Sequence, residues 1–166
     1  MIANGLTWGV RTSEPAACLP CDALLPDARV RADRAISIAA PPSIVFAWLC
    51  QLRAAPYSYD IIDNLGRRSP RRRDPELVRL EVGQRFMTMF ALRSFADGEQ
   101  ITLHARGVAV TYAVAPEGAG SRLHVRVLFG GPRPLARVLA LGDLVMMRKQ
   151  LLTLRSLSER EAAVAA

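Results

Sequence analysis

The side chains best suited to acid–base chemistry lie together in the segment YSYDIIDN, residues 57–64. Asp60 and Asp63 are three residues apart, so both carboxyl groups share one face if this segment is helical. Two adjacent carboxyl groups can share a proton, which raises one pKa towards the range that general acid–base catalysis needs. The same carboxylates can instead pair with nearby arginines. We favour this second interpretation because exposed ion pairs are common.

A dense basic run, RRSPRRR, begins at Arg67 and ends at Arg73. Arginine binds phosphate through paired hydrogen bonds and stacks on bases, so the run is compatible with nucleic-acid binding. No aromatic residue is interleaved with the arginines, although stacking platforms for bases require such residues. We therefore predict a solvated basic loop and expect no nucleic-acid partner, and we keep nucleic-acid binding through this loop as an alternative.

Cys18 and Cys21 have the CxxC spacing that redox dithiols and zinc sites share. A redox pair opens a helix after a strand, whereas this pair precedes the first strand signal in a segment containing prolines. Zinc would need two further ligands, and Cys50, His104 and His124 do not stand at the spacing of a zinc finger. We therefore predict no metal site and no cofactor, and leave the role of the two cysteines open.

Length and composition exclude several classes of protein. The chain has 166 residues, of which 51% are hydrophobic and 22% charged, so it fits one globular domain and not a disordered chain. The longest apolar stretch, residues 135–147, contains Arg137 and Asp143 and is shorter than the roughly 20 residues of a membrane span. The first residues lack a basic start followed by an apolar run, so we predict no secretory signal and a cytoplasmic protein.

Hydrophobic periodicity predicts one strand, two short helices, several antiparallel strands and one long helix. Residues 1–28, which contain three prolines, are predicted to be an irregular leader, and residues 29–163 a single domain. The predicted first strand is 29–38, the short helices are 43–52 and 57–66, the later strands are 77–80, 85–92, 100–106, 108–115 and 122–129, and the long helix is 135–161. A turn at residues 116–121 is the clearest hairpin signal.

Four stretches resemble the SRPBCC superfamily, which includes START domains, birch-pollen allergens and polyketide cyclase/dehydratase-like proteins. They are RAISIAAPPSIVFAWL at 34–49, YSYD with DN at 57–64, VTYAV through SRL at 110–123, and GDLVMMRKQL at 142–151. The resemblance is to bacterial, especially actinobacterial, members. It implies the helix-grip fold of the α+β class, in which a curved antiparallel β-sheet wraps around one long C-terminal α-helix and two short helices follow the first strand.

In this superfamily a cavity lies between the sheet and the long helix, so the resemblance implies that alternate strand residues point into it. The alternation in this sequence separates an apolar set from a polar set, and a one-residue slip would bury charges. We expect the polar set to face solvent: Thr102, His104, Arg106, His124 and Arg126. The apolar set expected to point inward is Ile101, Leu103, Ala105, Val110, Tyr112, Val114, Leu123, Val125, Val127 and Phe129.

We predict that the cavity binds a small hydrophobic ligand, lipid-like or polyketide-like, and that methionines give it an adaptable surface. The same side chains can instead simply fill a core. The predicted ligand-binding residues are Tyr57, Tyr59, Leu103, Ala105, Val110, Tyr112, Val125, Val127, Met146 and Met147. The alternative is a cyclase/dehydratase-type enzyme that acts on a polyketide-like substrate in the same cavity. In that case Tyr112 is the hydrogen-bond donor and Asp60 or Asp63 the proton shuttle.

Overall fold

The computed structural model describes residues 6–58 and 69–165 of the chain. Within them, seven strands form one curved, open sheet, and a long C-terminal helix packs against one of its faces. The predicted α+β class, a curved antiparallel sheet gripping a long C-terminal helix, is confirmed. Most of the second predicted short helix, at 57–66, lies outside the described residues, as do Tyr59, Asp60 and Asp63.

The predicted first strand, first short helix, later strands and long helix follow one another in the predicted order, with additional short elements. The strands are β1 Thr7–Trp8, β2 Val30–Ile38, β3 Arg85–Phe86, β4 Phe90–Ala96, β5 Gln100–Ala105, β6 Val108–Glu117 and β7 Gly120–Phe129. The α-helices are α1 Pro20–Leu24, α2 Pro42–Cys50 and α3 Arg133–Ala165, and the 3-10 helices are Glu14–Ala16, Gln51–Arg53 and Pro75–Val78. The strand order is β1-β2-β7-β6-β5-β4-β3. Neighbouring strands are antiparallel, except that β1 is parallel to β2.

Local sequence signals explain the start of α2 and the hairpin between β6 and β7. Helix α2 begins at Pro42, where the missing N–H costs nothing because the first turn has no intrahelical acceptor for it. Strands β6 and β7 pair as far as Glu117 and Gly120, which leaves a two-residue turn. Gly118 lies in this turn with φ +57°, a conformation that glycine adopts without steric cost. The sequence therefore predicted both the start of α2 and the hairpin turn at the correct place in the chain.

Two predicted strands are wrong. Of residues 77–80, predicted as a strand, the first two belong to the 3-10 helix Pro75–Val78 and the last two are irregular. The first turn of this helix is capped by the Asp74 carboxylate, which accepts from the Glu76 N–H at 2.9 Å. Residues 85–92, predicted as one strand, form β3 and β4 with a tight turn between them. Met87 and Thr88 in that turn have φ +46° and +64°. The alternation of apolar and polar residues did not predict that the chain reverses direction between β3 and β4.

The face of the sheet that contacts α3 is called here the inner face. Helix α3 has 33 residues, somewhat more than the predicted 135–161. It buries one side against β2, β7 and helix α2, and the apolar residues buried on it are Ala136, Ala140, Met147, Leu151, Leu154 and Leu157. The inward-pointing apolar set on β5, β6 and β7 is buried as expected, except that Ala105 is only half-buried.

Residues 6–28, called here the N-terminal segment, add β1 to the edge of the sheet and then pack across its other, outer face. The expectation of an irregular leader is wrong, since the segment contains β1, α1 and a 3-10 helix. Cys21 is fully buried against Ala109 and Leu128, and its N–H donates to Thr111 Oγ1 at 3.0 Å. Gly9 has φ +68°, and a Cβ there would lie 2.2 Å from the carbonyl oxygen of Ala35, so only glycine permits this close approach.

The N-terminal segment also corrects the expectation that the polar strand residues face solvent. Thr102 and Arg126 are fully buried and His124 is 7% exposed, because this segment covers them. His104 is half-buried, and only Arg106 is exposed. The alternation predicted which residues share a face. It could not predict that a segment distant in sequence covers that face.

Candidate ligand-binding cavity

A cavity of about 570 Å³ lies between α3 and the inner face of β5, β6 and β7. This volume is in the range of sites for drug-sized ligands. The turn between β3 and β4 forms another wall of the cavity. The residues that line the cavity are Pro56, Ser58, Met87, Met89, Phe90, Ala105, Arg106, Val108, Val110, Tyr112, Val127, Phe129, Leu139, Asp143, Met146, Met147 and Gln150.

Six of the ten predicted ligand-binding residues line this cavity: Ala105, Val110, Tyr112, Val127, Met146 and Met147. The other three in the described part of the chain do not. Leu103 and Val125 are fully buried in the core, and Tyr57 packs edge-on against Trp48 with ring centroids 6.0 Å apart. Tyr59 lies outside the described residues, as do the catalytic candidates Asp60 and Asp63.

The cavity lies where the strand side chains are short. Around the β5–β6 turn the inner face carries Ala105, Val108 and Val110, whereas Ile101 and Leu103 fill the space further along β5. Above the short side chains, the α3 residues that line the cavity are mostly flexible or polar: Asp143, Met146, Met147 and Gln150, together with Leu139. Because protein interiors pack closely, a local shortage of side-chain volume of this kind leaves a cavity.

The mouth of the cavity is marked by lining residues that are exposed. Met89 is 68% exposed and Leu139 46% exposed, and Arg106 is also at the surface. Thr88, beside Met89, is a β-branched residue with positive φ, a strained conformation. The mouth therefore lies between the first half of α3, the β5–β6 turn and a strained turn between β3 and β4.

Tyr112 and Gln150 form a buried polar pair inside the cavity. The Tyr112 hydroxyl donates to Gln150 Oε1 at 2.8 Å, and Gln150 Nε2 donates to the carbonyl oxygen of Pro56 at 2.5 Å. Gln150 Nε2 also lies 3.4 Å from Met87 Sδ. Burial raises the pKa of Tyr112, and the negative charge of Asp143 raises it further. The phenol therefore stays protonated at physiological pH, and its proton is already donated to Gln150.

Asp143 is the carboxylate that the cavity contains, and it faces a buried arginine. Arg34 Nη2 lies 3.6 Å from Asp143 Oδ2. Arg34 is fully buried, and its guanidinium also donates to the carbonyl oxygens of Leu6 and Ala140. Burial raises the pKa of Asp143 to about 6, although the Arg34 charge acts in the opposite direction. A carboxyl group with this pKa can take up and release a proton near neutral pH.

Sequence reasoning missed both residues of this pair. In the sequence Asp143 only interrupts an apolar stretch, yet it stands four residues after Leu139 and seven before Gln150, on the helix face that lines the cavity. Arg34 points inward because it pairs with Val125 in the β2–β7 register. The signal was present in the helical spacing, but it required knowing which face of α3 meets the sheet.

A second cluster of charges lies on the outer face, beneath the N-terminal segment. The Arg126 guanidinium makes five hydrogen bonds: to Asp33 Oδ1 at 2.9 Å, to Asp22 Oδ2 at 2.7 Å, and to the carbonyl oxygens of Glu14, Pro15 and Ala17. His124 Nε2 lies 2.8 Å from Asp33 Oδ1. Burial alone would raise the pKa of Asp33, but the contacts with His124 and Arg126 outweigh it and hold that pKa below its usual range. The Arg126 guanidinium donates both to Asp33 on the sheet and to groups of the N-terminal segment. We therefore infer that this cluster attaches the segment to the sheet.

The described arginines of the basic loop differ in their surroundings. Arg71 and Arg72 are exposed, whereas Arg73 Nε donates to Glu161 Oε2 at 2.8 Å. Glu161 Oε2 also accepts from Trp48 Nε1 at 2.9 Å. One arginine of the loop is thus engaged in joining the end of α3 to α2.

No family model matches this sequence, and no curated protein matches it. Among solved structures, the chain is similar to a protein from Nitrosomonas europaea, with 11% identity and a TM-score of 0.54 over 82% of this chain and 99% of that one. It is also similar to a protein from Mesorhizobium loti, with 17% identity and a TM-score of 0.51 over 78% of this chain and 97% of that one. These similarities show a shared fold.

Among residues 6–58 and 69–165, no helix combines the length and the apolar character that crossing a bilayer requires.

Proposed function

We propose that this protein is an SRPBCC-like binding protein that takes a small hydrophobic, lipid-like or polyketide-like molecule into the cavity between α3 and the sheet. The observation that carries the proposal is the cavity itself, about 570 Å³ and lined mainly by aliphatic, aromatic and thioether side chains. Transfer of an apolar molecule from water to such a lining is favourable because it removes apolar surface from water. The methionines can adapt their shape to an irregular ligand.

The polar groups of the cavity support binding more than catalysis. Tyr112 and Gln150 are already hydrogen-bonded to each other, so neither is poised to transfer a proton. Asp143 is opposed by Arg34 rather than by a second carboxyl group or a histidine. This arrangement resembles a recognition site in which few polar groups orient a mainly apolar ligand.

A cyclase/dehydratase-type enzyme is the second candidate, and Asp143 is the observation that favours it. Its pKa of about 6 suits a general acid or base at neutral pH. Asp143 lines the described cavity and can therefore reach a bound substrate, so it replaces Asp60 and Asp63 as the residue to test. Asp143→Asn should then abolish conversion of a polyketide-like substrate while leaving its binding largely intact. Unchanged conversion would eliminate this candidate.

The test of binding is a thermal-shift titration with sterols, fatty alcohols, flavonoids and aromatic polyketides. A ligand at about 100 times its Kd stabilises the folded state by roughly 2.7 kcal/mol if it binds that state alone. For a domain of this size the melting temperature should rise by roughly 5–11 °C. Mass spectrometry of molecules that co-purify with the protein would identify candidate ligands.

A pair of matched variants locates the binding. Ala105→Trp places an indole in the cavity and should abolish the shift. Ala115→Trp makes the same change at an exposed position on β6, outside the cavity lining, and should leave the shift intact. If no compound in the panel gives a saturable shift, or if both variants retain it, the proposal is wrong.

A further inference from the structure

The polar groups of the cavity are unevenly divided between hydrogen-bond donors and acceptors. The donors of Tyr112 and Gln150 are already directed at protein acceptors. Arg106 stands at the exposed mouth, and Ser58, which also lines the cavity, already has a partner in the protein. The deeper polar group that faces the cavity is the Asp143 carboxylate, which only accepts hydrogen bonds when it is ionised. The cavity therefore presents a hydrogen-bond acceptor, the Asp143 carboxylate, to a bound molecule.

The Asp143 carboxylate has unused capacity to accept hydrogen bonds. Within the described residues, Oδ2 accepts none and is inaccessible to solvent, so Oδ1 is the oxygen of this side chain, 21% exposed, that a ligand can reach. The Arg34 guanidinium is the charged group that faces it from β2, but the distance of 3.6 Å is longer than a hydrogen bond. A ligand that covers Oδ1 without offering a donor leaves that oxygen desolvated and unpaired, which is costly, so a ligand that supplies a donor gains free energy that an inert ligand does not.

The same carboxylate acts against anionic ligands. A ligand carboxylate near Asp143 would be repelled in a cavity of low polarity, where charge interactions are stronger than in water. The Arg34 charge offsets this repulsion only in part, because Arg34 is not part of the cavity lining and its Nη atoms donate to carbonyl oxygens rather than to a ligand.

Building on the proposed function, we infer that the ligand is an apolar molecule bearing a hydroxyl or amino group, and that Asp143 accepts a hydrogen bond from this group. Fatty acids and other apolar carboxylates are then poor ligands. Asp143 thus determines specificity, since the apolar walls select for shape and the carboxylate selects for the polar end.

The experiment uses the wild-type protein and three probes of equal chain length: dodecanol, its methyl ether and dodecanoate. The ether keeps the oxygen but lacks the donor, so the ratio of the two Kd values isolates the hydrogen bond. We expect dodecanol to bind about tenfold more tightly than the ether, and dodecanoate to bind more weakly than dodecanol. Equal affinities of alcohol and ether, or tighter binding of dodecanoate, would overturn the inference.

A matched pair of variants assigns the effect to Asp143. Asp143→Asn keeps the size and one acceptor oxygen but removes the charge, so dodecanol should lose about fivefold in affinity while the ether changes less than about twofold. Glu159→Gln makes the same change on α3, at a residue whose carboxylate instead accepts from the Ala39 N–H at 3.0 Å, and should alter neither affinity. An unchanged alcohol affinity in Asp143→Asn contradicts the assignment. If Asp143→Asn does not fold, the Kd values of the three probes for the wild-type protein still test the inference.

The outcomes separate this inference from the function on which it rests. Saturable binding that does not distinguish alcohol from ether retains the binding function and rejects the role of Asp143. Absence of saturable binding by all three probes and by the broader panel rejects both.

Discussion

Asp143 makes the stability of the folded protein depend on pH in the opposite direction to most carboxyl groups. Burial raises its pKa to about 6, and the Arg34 charge offsets this only in part. Between about pH 4 and pH 6 the folded protein therefore keeps a proton that the unfolded chain has released. Because the folded state binds more protons in this interval, the contribution of Asp143 to the free energy of unfolding falls as pH rises.

The size of this effect follows from the two pKa values. A carboxyl pKa of 3.8 in the unfolded chain against about 6 in the folded protein corresponds to about 3 kcal/mol, lost progressively from pH 4 to pH 7. In Asp143→Asn the amide has no proton to release, so this loss is absent. The difference in free energy of unfolding between Asp143→Asn and wild type should therefore rise by about 3 kcal/mol from pH 4 to pH 7.

The measurement is urea denaturation of both proteins at pH 4, 5, 6 and 7, with the difference in free energy of unfolding taken at each pH. Groups common to both proteins contribute equally and cancel, and the guanidinium of Arg34 stays protonated throughout. A difference that stays constant or falls as pH rises would refute the reasoning, because Asp143 would then titrate like a carboxyl group in water.

Two further predictions concern the N-terminal segment. Arg126→Met removes the guanidinium between Asp33 and the segment, and we expect a loss of about 3–5 kcal/mol, seen as a melting temperature lower by roughly 6–20 °C. Arg93→Met, at an exposed position, is the control and should change the free energy by less than about 0.5 kcal/mol; equal effects of the two would contradict the attachment role. Burial raises the pKa of the Cys21 thiol, whereas Cys18 is exposed, so iodoacetamide should modify Cys18 first in the folded protein. Peptide mapping checks this, and Cys21→Ser should lower stability by about 1 kcal/mol while Cys18→Ser should not. Rapid modification of Cys21, or equal stability of the two variants, would count against the burial argument.

The sequence predicted best those features that depend on neighbouring residues. Strand β2, helix α2 and the hairpin at Gly118 follow from alternation, a proline at a helix start and a glycine in a turn. The long helix follows in the same way, from helix-forming residues over many turns. Each of these signals lies within a short window of the chain and does not require knowledge of the rest.

The parts that failed depend on contacts between distant residues. The burial of Arg126 requires the carbonyl groups of residues 14–17, which lie more than 100 positions earlier in the sequence. Likewise, Leu103 and Ala105 share the inner face, yet Leu103 fills the core and Ala105 lines the cavity. That difference depends on which α3 side chains lie opposite, so alternation placed both residues on the correct face and could not separate them.

The two outermost strands of the sheet have a consequence for self-association. Strands β1 and β3 are each two residues long, whereas β2, next to β1, has nine residues. An exposed strand edge is a template on which another chain can add a strand, and long edges promote aggregation. On the β2 side, β1 pairs with Asp33 and Arg34 at the middle of the strand, so an incoming chain finds its central hydrogen-bonding groups occupied. The N-terminal segment therefore also protects the sheet against edge-to-edge polymerisation.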